Sequence, residues 1–366
     1  MKLTLKIKLL PTNVQKELLL STLKEANSAC NYISNVAFTK KIYNQFKIHK
    51  ETYHYTKDNF KLSAQIIVRC ISKVTDSYKI DKKTLRKFKE YGGISYDSRI
   101  LSYKPNNKIS IWCIGGRQAM NYVCHNTKYI PFIKGESDLV YKKGKFYLFQ
   151  TVDVPEEEVE DVEEFIGCDF GQTDIAVLDD GTCYNSDQLK KVRKKYSKVR
   201  ASVQSKGTKG AKKLLKRLSG REHNFVTITN HTISKQIVAK AKQENKGIAI
   251  EDLTNIRKTA KPKSKAQKTE LNRWSFYQLR QFLTYKAKLG GVKLIAVPPA
   301  YTSQICSVCK HIGTKENSFR KGKKFICQNC GNISDADVNA AKNISSFGGA
   351  INHPEKSTLF CSLHFM

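Results

Sequence analysis

The fold of the second half of the chain is decided by residues 165–181, FIGCDFGQTDIAVLDDG. The apolar run that ends at Asp169 predicts a buried strand, Gly171 predicts a turn, and residues 175–178 predict a second strand. The Asp-Asp-Gly sequence that follows is typical of a tight turn. The segment therefore predicts a hairpin that places one aspartate at the end of a buried strand.

Further strands and helices alternate downstream of this hairpin. The sequence GIAIEDL predicts a short buried strand that ends at Glu251, and residues 257–268 are predicted to form a flexible basic loop. Residues 274–291 predict an amphipathic helix that stops at glycine, followed by a strand within residues 292–299. This alternation predicts an α/β domain with a partly parallel sheet.

The first half of the chain has a different pattern. Residues 3–9 alternate as a strand does, and Thr12 with Gln15 forms a capping-box pattern ahead of a helical run to about residue 45. A second helical pattern covers about 57–90, and residues 92–154 contain short β-branched and aromatic runs separated by turn residues. We expect a small barrel-like β-domain that includes the first strand and carries the helices as an insertion.

Charge is distributed very unevenly along the 366 residues. Lys plus Arg number 65 against 32 Asp plus Glu, a formal net charge of +33, which makes nucleic acid the expected partner. Fourteen of these bases lie in residues 190–221, at roughly helical spacing and without an acid, either as a nucleic-acid contact or as a solvated face. Residues 156–164 carry seven acids and predict a solvated linker at a domain boundary.

Composition also excludes several classes of protein. The chain is 40% hydrophobic and 10% aromatic, more than a disordered basic tail carries, and it is too long for a peptide hormone. No window has the roughly 18 consecutive apolar residues of a membrane span, and the first residues do not resemble a signal peptide. We therefore expect an intracellular protein with no membrane partner.

Four of the eleven cysteines form two close pairs, Cys306 with Cys309 and Cys327 with Cys330. This spacing predicts a structural zinc site in which four thiolates complete the tetrahedron, so His311 is expected to face solvent. Chance spacing and an iron–sulfur cluster are the alternatives. The basic and aromatic sequence SFRKGKKF between the pairs is typical of a ribbon that touches nucleic acid. The scattered cysteines are expected to be ordinary thiols: Cys30, Cys70, Cys113, Cys124, Cys168, Cys183 and Cys361.

Three carboxylates that lie far apart in the sequence form a second group of candidate functional residues. Asp169 and Glu251 end predicted strands, and Asp337 stands near the start of a predicted helix in DADVNAAKNI. Acids at strand ends of an α/β sheet can converge on one polar edge, where divalent cations offset their mutual repulsion. Two Mg²⁺ ions roughly 4 Å apart suit phosphodiester hydrolysis. Taken singly, each acid is more often a helix cap or a surface group.

Asp335 competes with Asp337 for the third position. Counting back one turn from the apolar residues Ala340, Ala341 and Ile344 places Asp337 on or beside the face that packs on the sheet. Asp335 is expected instead at the helix start, where an aspartate caps backbone N–H groups.

Four segments in this order carry a resemblance: GCDFG, IAIEDL, residues 274–309 and DADVNAAKNI, with the four-cysteine ribbon before the last. Together they resemble the RuvC-like nuclease of the TnpB family, transposon-encoded relatives of type V CRISPR effectors and of Fanzor proteins. The resemblance is dense from about residue 165 to 345. The first half is similar only in outline, and the last residues, after Asn343, match no motif.

The resemblance implies a multidomain α+β chain with an RNase H-like (RuvC) α/β nuclease domain and an inserted four-cysteine zinc ribbon. A β-barrel-like wedge domain with a helical recognition insertion precedes them. The implied domains are the wedge at 1–10 and 91–160, the insertion at 11–90, the nuclease at 165–300 and 333–350, the ribbon at 301–332 and a tail at 351–366.

It also implies an RNA-guided DNA endonuclease that needs Mg²⁺. Its partners would be a guide RNA and double-stranded target DNA beside a short adjacent motif. Asp169, Glu251 and Asp337 match the three acids of the family's active site, and the four paired cysteines match its zinc ligands. Alternatives are a nuclease-inactive, RNA-guided transcriptional regulator and a cut-and-paste transposase. The sequence has no coiled-coil pattern, so we expect a monomer.

Overall fold

The structure is a computed structural model that describes residues 1–254, 256–262, 264–313 and 320–354. The chain divides into two compact units, residues 1–155 and 156–366. The division falls at the start of the acidic run. In the part of the chain that is described, no helix is long and apolar enough to cross a membrane.

The first unit is built on a seven-stranded antiparallel sheet of order β2-β6-β7-β1-β5-β4-β3. Its strands are β1 (Lys2–Leu10), β2 (Ile94–Tyr96), β3 (Leu101–Lys104), β4 (Lys108–Cys113), β5 (Gly116–Cys124), β6 (Ile133–Lys142) and β7 (Lys145–Asp153). The first strand of the chain thus lies at the centre of the sheet. Only residues 97–100 separate the two edge strands in the chain, so the sheet curls until its edges approach.

Three helices are inserted between β1 and β2: α1 (Asn13–Thr39), α2 (Gln45–Asn59) and α3 (Ala64–Ile80). The predicted capping box at Thr12 and Gln15 is confirmed. The helical pattern predicted over about 57–90 is confirmed in part: α2 ends at Asn59 and α3 begins at Ala64, because the chain is extended at Phe60 and Ser63 caps a new helix. That helix ends at Asp81, whose side chain accepts a hydrogen bond from the Lys83 N–H and favours a turn instead.

The second unit contains a five-stranded sheet of order β10-β9-β8-β11-β12. Its strands are β8 (Phe165–Asp169), β9 (Asp174–Leu178), β10 (Cys183–Asn185), β11 (Gly247–Glu251) and β12 (Leu294–Val297). Strands β8, β11 and β12 are parallel, whereas β8, β9 and β10 form antiparallel pairs. The predicted hairpin and the predicted partly parallel sheet are both confirmed.

The helices that follow β10 and β11 are α4 (Asp187–Ser205), α5 (Lys209–Leu218), α6 (Arg221–Gln243), α7 (Ile256–Thr259), α8 (Lys265–Arg273) and α9 (Phe276–Leu289). Apolar residues of α6 and α9 pack with Cys168 and Ile250 on one face of the sheet. The flexible loop predicted for 257–268 is wrong in part, since α7 and the first part of α8 occupy its two ends. The Ser264 hydroxyl accepts a hydrogen bond from the Gln267 N–H and so starts α8.

A small three-stranded antiparallel sheet lies between β12 and the last helix. It consists of β13 (Arg320–Lys321), β14 (Lys324–Ile326) and β15 (Ile333–Asp335), and α10 (Ala336–Asn352) follows directly. Helix α10 covers the second face of the five-stranded sheet, where Ile344 packs with Phe165 and Ala249. Ser318 and Phe319 of the ribbon tip, and residues 355–366 of the predicted tail, lie outside the described residues.

The acidic run 156–164 is more than a solvated linker. Four of its acids form ion pairs with lysines that lie at or beyond the ends of α6 and α9. The pairs are Glu156–Lys288, Glu157–Lys242, Asp161–Lys293 and Glu164–Lys246. The prediction overlooked these pairs because their lysines lie more than 75 residues further along the chain. The paired side chains remain exposed to solvent, which screens their charges, so each pair adds little to stability.

Candidate active site and metal centre

Asp169 and Glu251 end two adjacent parallel strands. The register of β8 and β11 pairs Cys168 with Ile250, so the next residue of each strand reaches the same edge of the sheet. Side chains alternate between the two faces of a strand. Asp169 and Glu251 therefore lie on the face opposite Cys168 and Ile250, which is the face covered by α10.

Helix α10 brings Asp337 to the same edge because it runs antiparallel to β8 in close contact. The Ser345 hydroxyl donates to the Phe165 carbonyl at 2.6 Å. A Cβ atom on Gly167 would lie only 1.9 Å from the Ala341 carbonyl oxygen, so helix and strand backbones touch there. Two residues of a strand and four residues of a helix each advance by about 6 Å. Ser345 lies beside Phe165 and Ala341 beside Gly167, so the next pair in this series is Asp337 beside Asp169.

Electrostatics show that the three carboxylates interact. Burial raises the pKa of Asp169 to about 7, and the negative charges of Glu251 and Asp337 add to that rise, while the Arg320 guanidinium opposes it. Burial also raises the pKa of Glu251, against the effect of a hydrogen bond from Thr302. The edge therefore carries more negative charge than its surroundings neutralise.

Two cations of the ribbon approach these acids, and the sequence reasoning did not single out either of them. Nη2 of Arg320 lies 2.8 Å from Oδ1 of Asp337, and Nζ of Lys323 bonds to the buried Asp174 at the start of β9. Both belong to the basic tip that was expected to touch nucleic acid. Their pairing with acids of the sheet edge could not be read from spacing alone.

Asparagines of α10 hold the segment that leads into the ribbon, and they too were missed. The side-chain amide of Asn343 donates to the carbonyls of Thr302 and Ile305, at 2.9 and 2.7 Å. Asn339 donates to the Ile305 carbonyl and accepts from the Ser307 N–H. Both side chains are fully buried. Their spacing of four residues in DADVNAAKNI was the signal that could have revealed them.

Asp335 caps α10, as predicted. One of its carboxylate oxygens accepts hydrogen bonds from the backbone N–H groups of Asp337 and Val338, at 2.9 and 3.2 Å. Asp337 itself lies in the first turn of the helix and is largely buried. The two aspartates therefore have different structural surroundings although they are only two residues apart.

The four paired cysteines come together in the ribbon. Their sulfur atoms all lie within 4.8 Å of one another, and the closest pairs are Cys309–Cys327 at 3.5 Å and Cys306–Cys330 at 3.8 Å. Thiolates around a tetrahedral zinc ion at about 2.3 Å lie about 3.8 Å apart. The geometry fits one zinc ion, whereas a cluster of several irons needs more widely separated sulfurs.

The two halves of this cluster are built alike. In each, the N–H of the residue after the second cysteine donates to the carbonyl of the first: Lys310 to Cys306, and Gly331 to Cys327. Lys310 and Gly331 both have a positive φ, 60° and 73°, which closes the tight knuckle. The His311 side chain is exposed, as predicted, and its backbone N–H lowers the pKa of Cys309 to about 6, favouring the thiolate.

Among the described residues, these four cysteines are the one group of three or more His, Cys, Asp or Glu side chains whose metal-binding atoms all lie within 4.8 Å of one another. The three carboxylates thus interact electrostatically without forming so tight a group. The other six cysteines in the described ranges are free thiols, as predicted, and Cys361 lies outside those ranges.

Comparison with known families matches two parts of the chain. Residues 276–344 match the family model described as Cas12f1-like, TNB domain. Residues 149–261 match the model described as Probable transposase. The first match spans Asp337 and the thiol cluster, and the second spans Asp169 and Glu251.

Among curated proteins, a TnpB-like protein of Methanocaldococcus jannaschii is 36% identical over 179 residues, covering 47% of this chain and 63% of that protein. The CRISPR-associated endodeoxyribonuclease Cas12f1 of Sulfoacidibacillus thermotolerans is 33% identical over 225 residues, covering 56% of this chain and 50% of that protein. The chain thus spans about half to 63% of the length of these relatives.

Two solved structures share the fold. A cryo-EM structure of a Cas12f1–sgRNA–target DNA complex aligns over 89% of this chain and 82% of that chain, with a TM-score of 0.55 and 17% identity. The mini-RNA-guided endonuclease CRISPR-Cas_phi3 aligns over 95% of this chain and 92% of that chain, with a TM-score of 0.56 and 11% identity. The resemblance to the TnpB family is confirmed: residues 149–261 and 276–344 match the two family models, and the chain is similar to a TnpB-like protein and to a Cas12f1 endodeoxyribonuclease.

Proposed function

We propose that the chain is an RNA-guided DNA endonuclease that hydrolyses phosphodiester bonds at Asp169, Glu251 and Asp337. The observation that carries this proposal is the convergence of three carboxylates on one edge of the sheet, where burial and like charge raise the pKa of Asp169. In structural ion-pair networks, basic side chains usually neutralise such acids, whereas in nuclease sites the acids bind metal cations. The five-stranded sheet would then be the core of a RuvC-like nuclease domain.

The residues present fit divalent cations. Carboxylate oxygens are the ligands that Mg²⁺ prefers, and the uncompensated charge around Asp169 is what a cation would offset. Two bound Mg²⁺ ions would supply stabilisation of the attacking water and of the leaving 3′ oxygen. The chain's own contribution is to hold Asp169 and Glu251 on two rigid strands and Asp337 on a packed helix.

The proposed partners are a guide RNA and double-stranded target DNA read beside a short adjacent motif. Support comes from the charge of +33 and from the relatives, one of which is the CRISPR-associated endodeoxyribonuclease Cas12f1. In this proposal residues 1–10 and 91–160 form a wedge domain and 11–90 a recognition insertion. Residues 165–300 and 333–350 form the nuclease domain. Residues 301–332 form a zinc ribbon that holds one structural zinc ion, and residues 351–366 form a tail. The active species would be a monomer.

The test compares Asp169→Asn and Glu251→Gln with Asp252→Asn. Asp252 follows Glu251 directly, but its exposed side chain pairs with Arg280 at 2.5 Å. It does not reach the sheet edge that carries Asp169, Glu251 and Asp337, here called the acid edge. We expect the first two variants to lose at least about a hundredfold in DNA cleavage rate with Mg²⁺ and to keep RNA-directed DNA binding. Asp252→Asn should cut normally. Normal cutting by Asp169→Asn would overturn the site.

RNA guidance is tested separately by sequencing the RNA that co-purifies with the chain. A defined RNA that redirects cleavage when its guide segment is changed supports the proposal. Joined transposon ends in the products would favour the transposase alternative. The match of residues 149–261 to the family described as Probable transposase is the reason to test for it. RNA-directed binding without cleavage by the unaltered chain would favour the nuclease-inactive regulator.

A further inference from the structure

Four lysines gather at the edge of the five-stranded sheet that lies opposite the acid edge. Lys246 directly precedes β11 and Lys293 directly precedes β12, and these two strands are parallel. Lys242 and Lys288 lie in the last turns of α6 and α9. This set of four is here called the lysine edge. Since a strand of five residues spans about 16 Å, the lysine edge is well separated from the acid edge.

The acidic run, residues 156–164, covers the lysine edge. Each of the four lysines pairs with a different acid of the run: Lys288 with Glu156 at 3.1 Å, Lys293 with Asp161 at 2.9 Å, Lys246 with Glu164 at 2.9 Å, and Lys242 with Glu157. The run has seven acids in nine residues and no base. That is roughly one negative charge per 4 Å of fully extended chain, close to the one per about 3.4 Å along each strand of a DNA duplex.

Contacts other than ion pairs also hold the acidic run in place. Val162 is buried and packs with Phe165. The side-chain amide of Asn352 donates to the Val162 carbonyl at 2.8 Å. A Cβ atom on Gly291 would lie only 2.5 Å from the Glu158 carbonyl oxygen, so the run touches the backbone between α9 and β12. The run is therefore packed against the second unit along much of its length.

The ion pairs make the lysine edge less attractive to other anions. The hydrogen bond from Lys293 lowers the pKa of Asp161, and Glu164 raises the pKa of Lys246, so these groups stay charged near neutral pH. A paired lysine must give up its carboxylate before it can neutralise a phosphate, which lowers its contribution to nucleic-acid affinity. Because the run belongs to the same chain, its acids act at an effective concentration on the order of millimolar. A nucleic acid must overcome this competition to bind the lysine edge.

We propose that the acidic run acts as an internal polyanion, which occupies the lysine edge and keeps nucleic-acid backbones away from it. The chain has a net charge of +33 and attracts nucleic acid without regard to sequence. A backbone bound at the lysine edge would lie at the wrong end of the strands that carry Asp169 and Glu251. The consequence for cleavage rests on the proposed nuclease function, whereas the shielding itself can be measured without cleavage.

The experiment measures the affinity of the full chain, freed of RNA, for a fluorescent duplex DNA of random sequence. Glu157→Gln with Glu164→Gln removes the carboxylates that pair with Lys242 and Lys246, and Lys246 retains a longer contact of 3.8 Å with Glu244. We expect this double variant to bind the DNA about tenfold more tightly at low salt. The slope of log affinity against log salt should become steeper by about 1.8, because two lysines become available to phosphates.

The matched control is Glu158→Gln with Glu160→Gln. It makes the same change of charge in the same run, but these two exposed acids form no ion pair within the described part of the chain. The control should change DNA affinity by less than about twofold. Equal gains in the control and in Glu157→Gln with Glu164→Gln would overturn the shielding, because net charge alone would then explain both.

A reciprocal experiment leaves the acidic run intact and removes the lysines. Lys242→Ala with Lys246→Ala in the unaltered chain should change DNA affinity by less than about twofold, although it removes two positive charges, because the run already occupies both. In the Glu157→Gln and Glu164→Gln background, the same two substitutions should abolish the tenfold gain. A tenfold loss of affinity when the lysines are removed from the unaltered chain would overturn the shielding.

The outcome is separable from that of the proposed function. If the unaltered chain never cuts DNA but the gain and its reversal are observed, the nuclease proposal fails and the shielding stands. If Glu157→Gln with Glu164→Gln binds duplex DNA as the unaltered chain does, while the unaltered chain cuts DNA with a guide RNA, the shielding fails and the nuclease proposal stands.

Discussion

The hydroxyl of Thr302 donates a hydrogen bond of 2.5 Å to Oε1 of Glu251. Thr302 is buried, and its carbonyl accepts from the side chain of Asn343 in α10. It lies four residues before Cys306, the first ligand of the thiol cluster. The segment that enters the ribbon therefore also fixes one carboxylate of the acid edge, which couples the position of Glu251 to the folding of the ribbon.

Thr302→Val should reduce DNA cleavage by about tenfold to a hundredfold, because it removes this bond while keeping the shape of the side chain. Thr302→Ser keeps the hydroxyl and should retain most of the activity. The measurement is single-turnover cleavage with saturating guide RNA and Mg²⁺. Equal activity in the valine and serine variants would show that the hydroxyl does not position Glu251.

The pKa of Asp169 predicts how stability depends on pH without metal. The carboxyl loses its proton near 3.8 in the unfolded chain and near 7 in the folded one. Between these values the folded state holds the extra proton, so stability falls as pH rises. Asparagine has no such proton to lose, so the free energy of unfolding of Asp169→Asn should not fall in this way. It should exceed that of the unaltered chain by an amount that grows from pH 4 to pH 7, on the order of a few kcal/mol.

Thermal melts in EDTA at several pH values provide the comparison. Asp252→Asn serves as the control, because the pKa of Asp252 is lowered by its hydrogen bonds from Thr254 and Arg280. It should show no such growing advantage. A constant difference between Asp169→Asn and the unaltered chain across this range would contradict the raised pKa.

The thiol cluster predicts close to one zinc per purified chain. Cys306→Ser or Cys330→Ser should release the metal and unfold the ribbon locally, since zinc binding supplies folding free energy to such a small module. Cleavage should fall with it, because Thr302 and Arg320 belong to the same region. Cys183→Ser removes an exposed thiol outside the cluster and should retain zinc. Metal analysis that finds iron, or no metal, in the unaltered chain would contradict the zinc site.

The order of strands and helices was predictable because local patterns carry it. Residues 165–181 contain their own strands and turns, and each cysteine pair contains its own knuckle. The capping role of Asp335 was likewise local, since a cap bonds backbone N–H groups two and three residues away. Such features need no knowledge of what packs against them.

The parts that were missed depend on residues far apart in the chain. Thr302 lies 51 residues from Glu251, and Lys323 lies 149 residues from Asp174. The ion pairs of the acidic run cross similar distances, such as the 132 residues between Asp161 and Lys293. Spacing rules do not reach such pairs, because they are set by how the ribbon, α10 and the sheet pack together.

The two aspartates at the start of α10 give the most direct test of the site. Asp335 accepts hydrogen bonds from two backbone N–H groups of the helix, so Asp335→Ala should lose about 1 kcal/mol of stability. That corresponds to a melting temperature about 2–4 °C lower for a unit of this size.

Asp337 carries no capping bond, and its negative charge adds to that of Asp169 at the acid edge. Asp337→Ala therefore relieves repulsion while it gives up the pair with Arg320, and the melting temperature should change little. Cleavage should nevertheless fall at least about a hundredfold, because one of the three carboxylates is gone. Asp335→Ala should keep substantial cleavage. The opposite pattern in parallel melts and cleavage assays would assign the third carboxylate to Asp335.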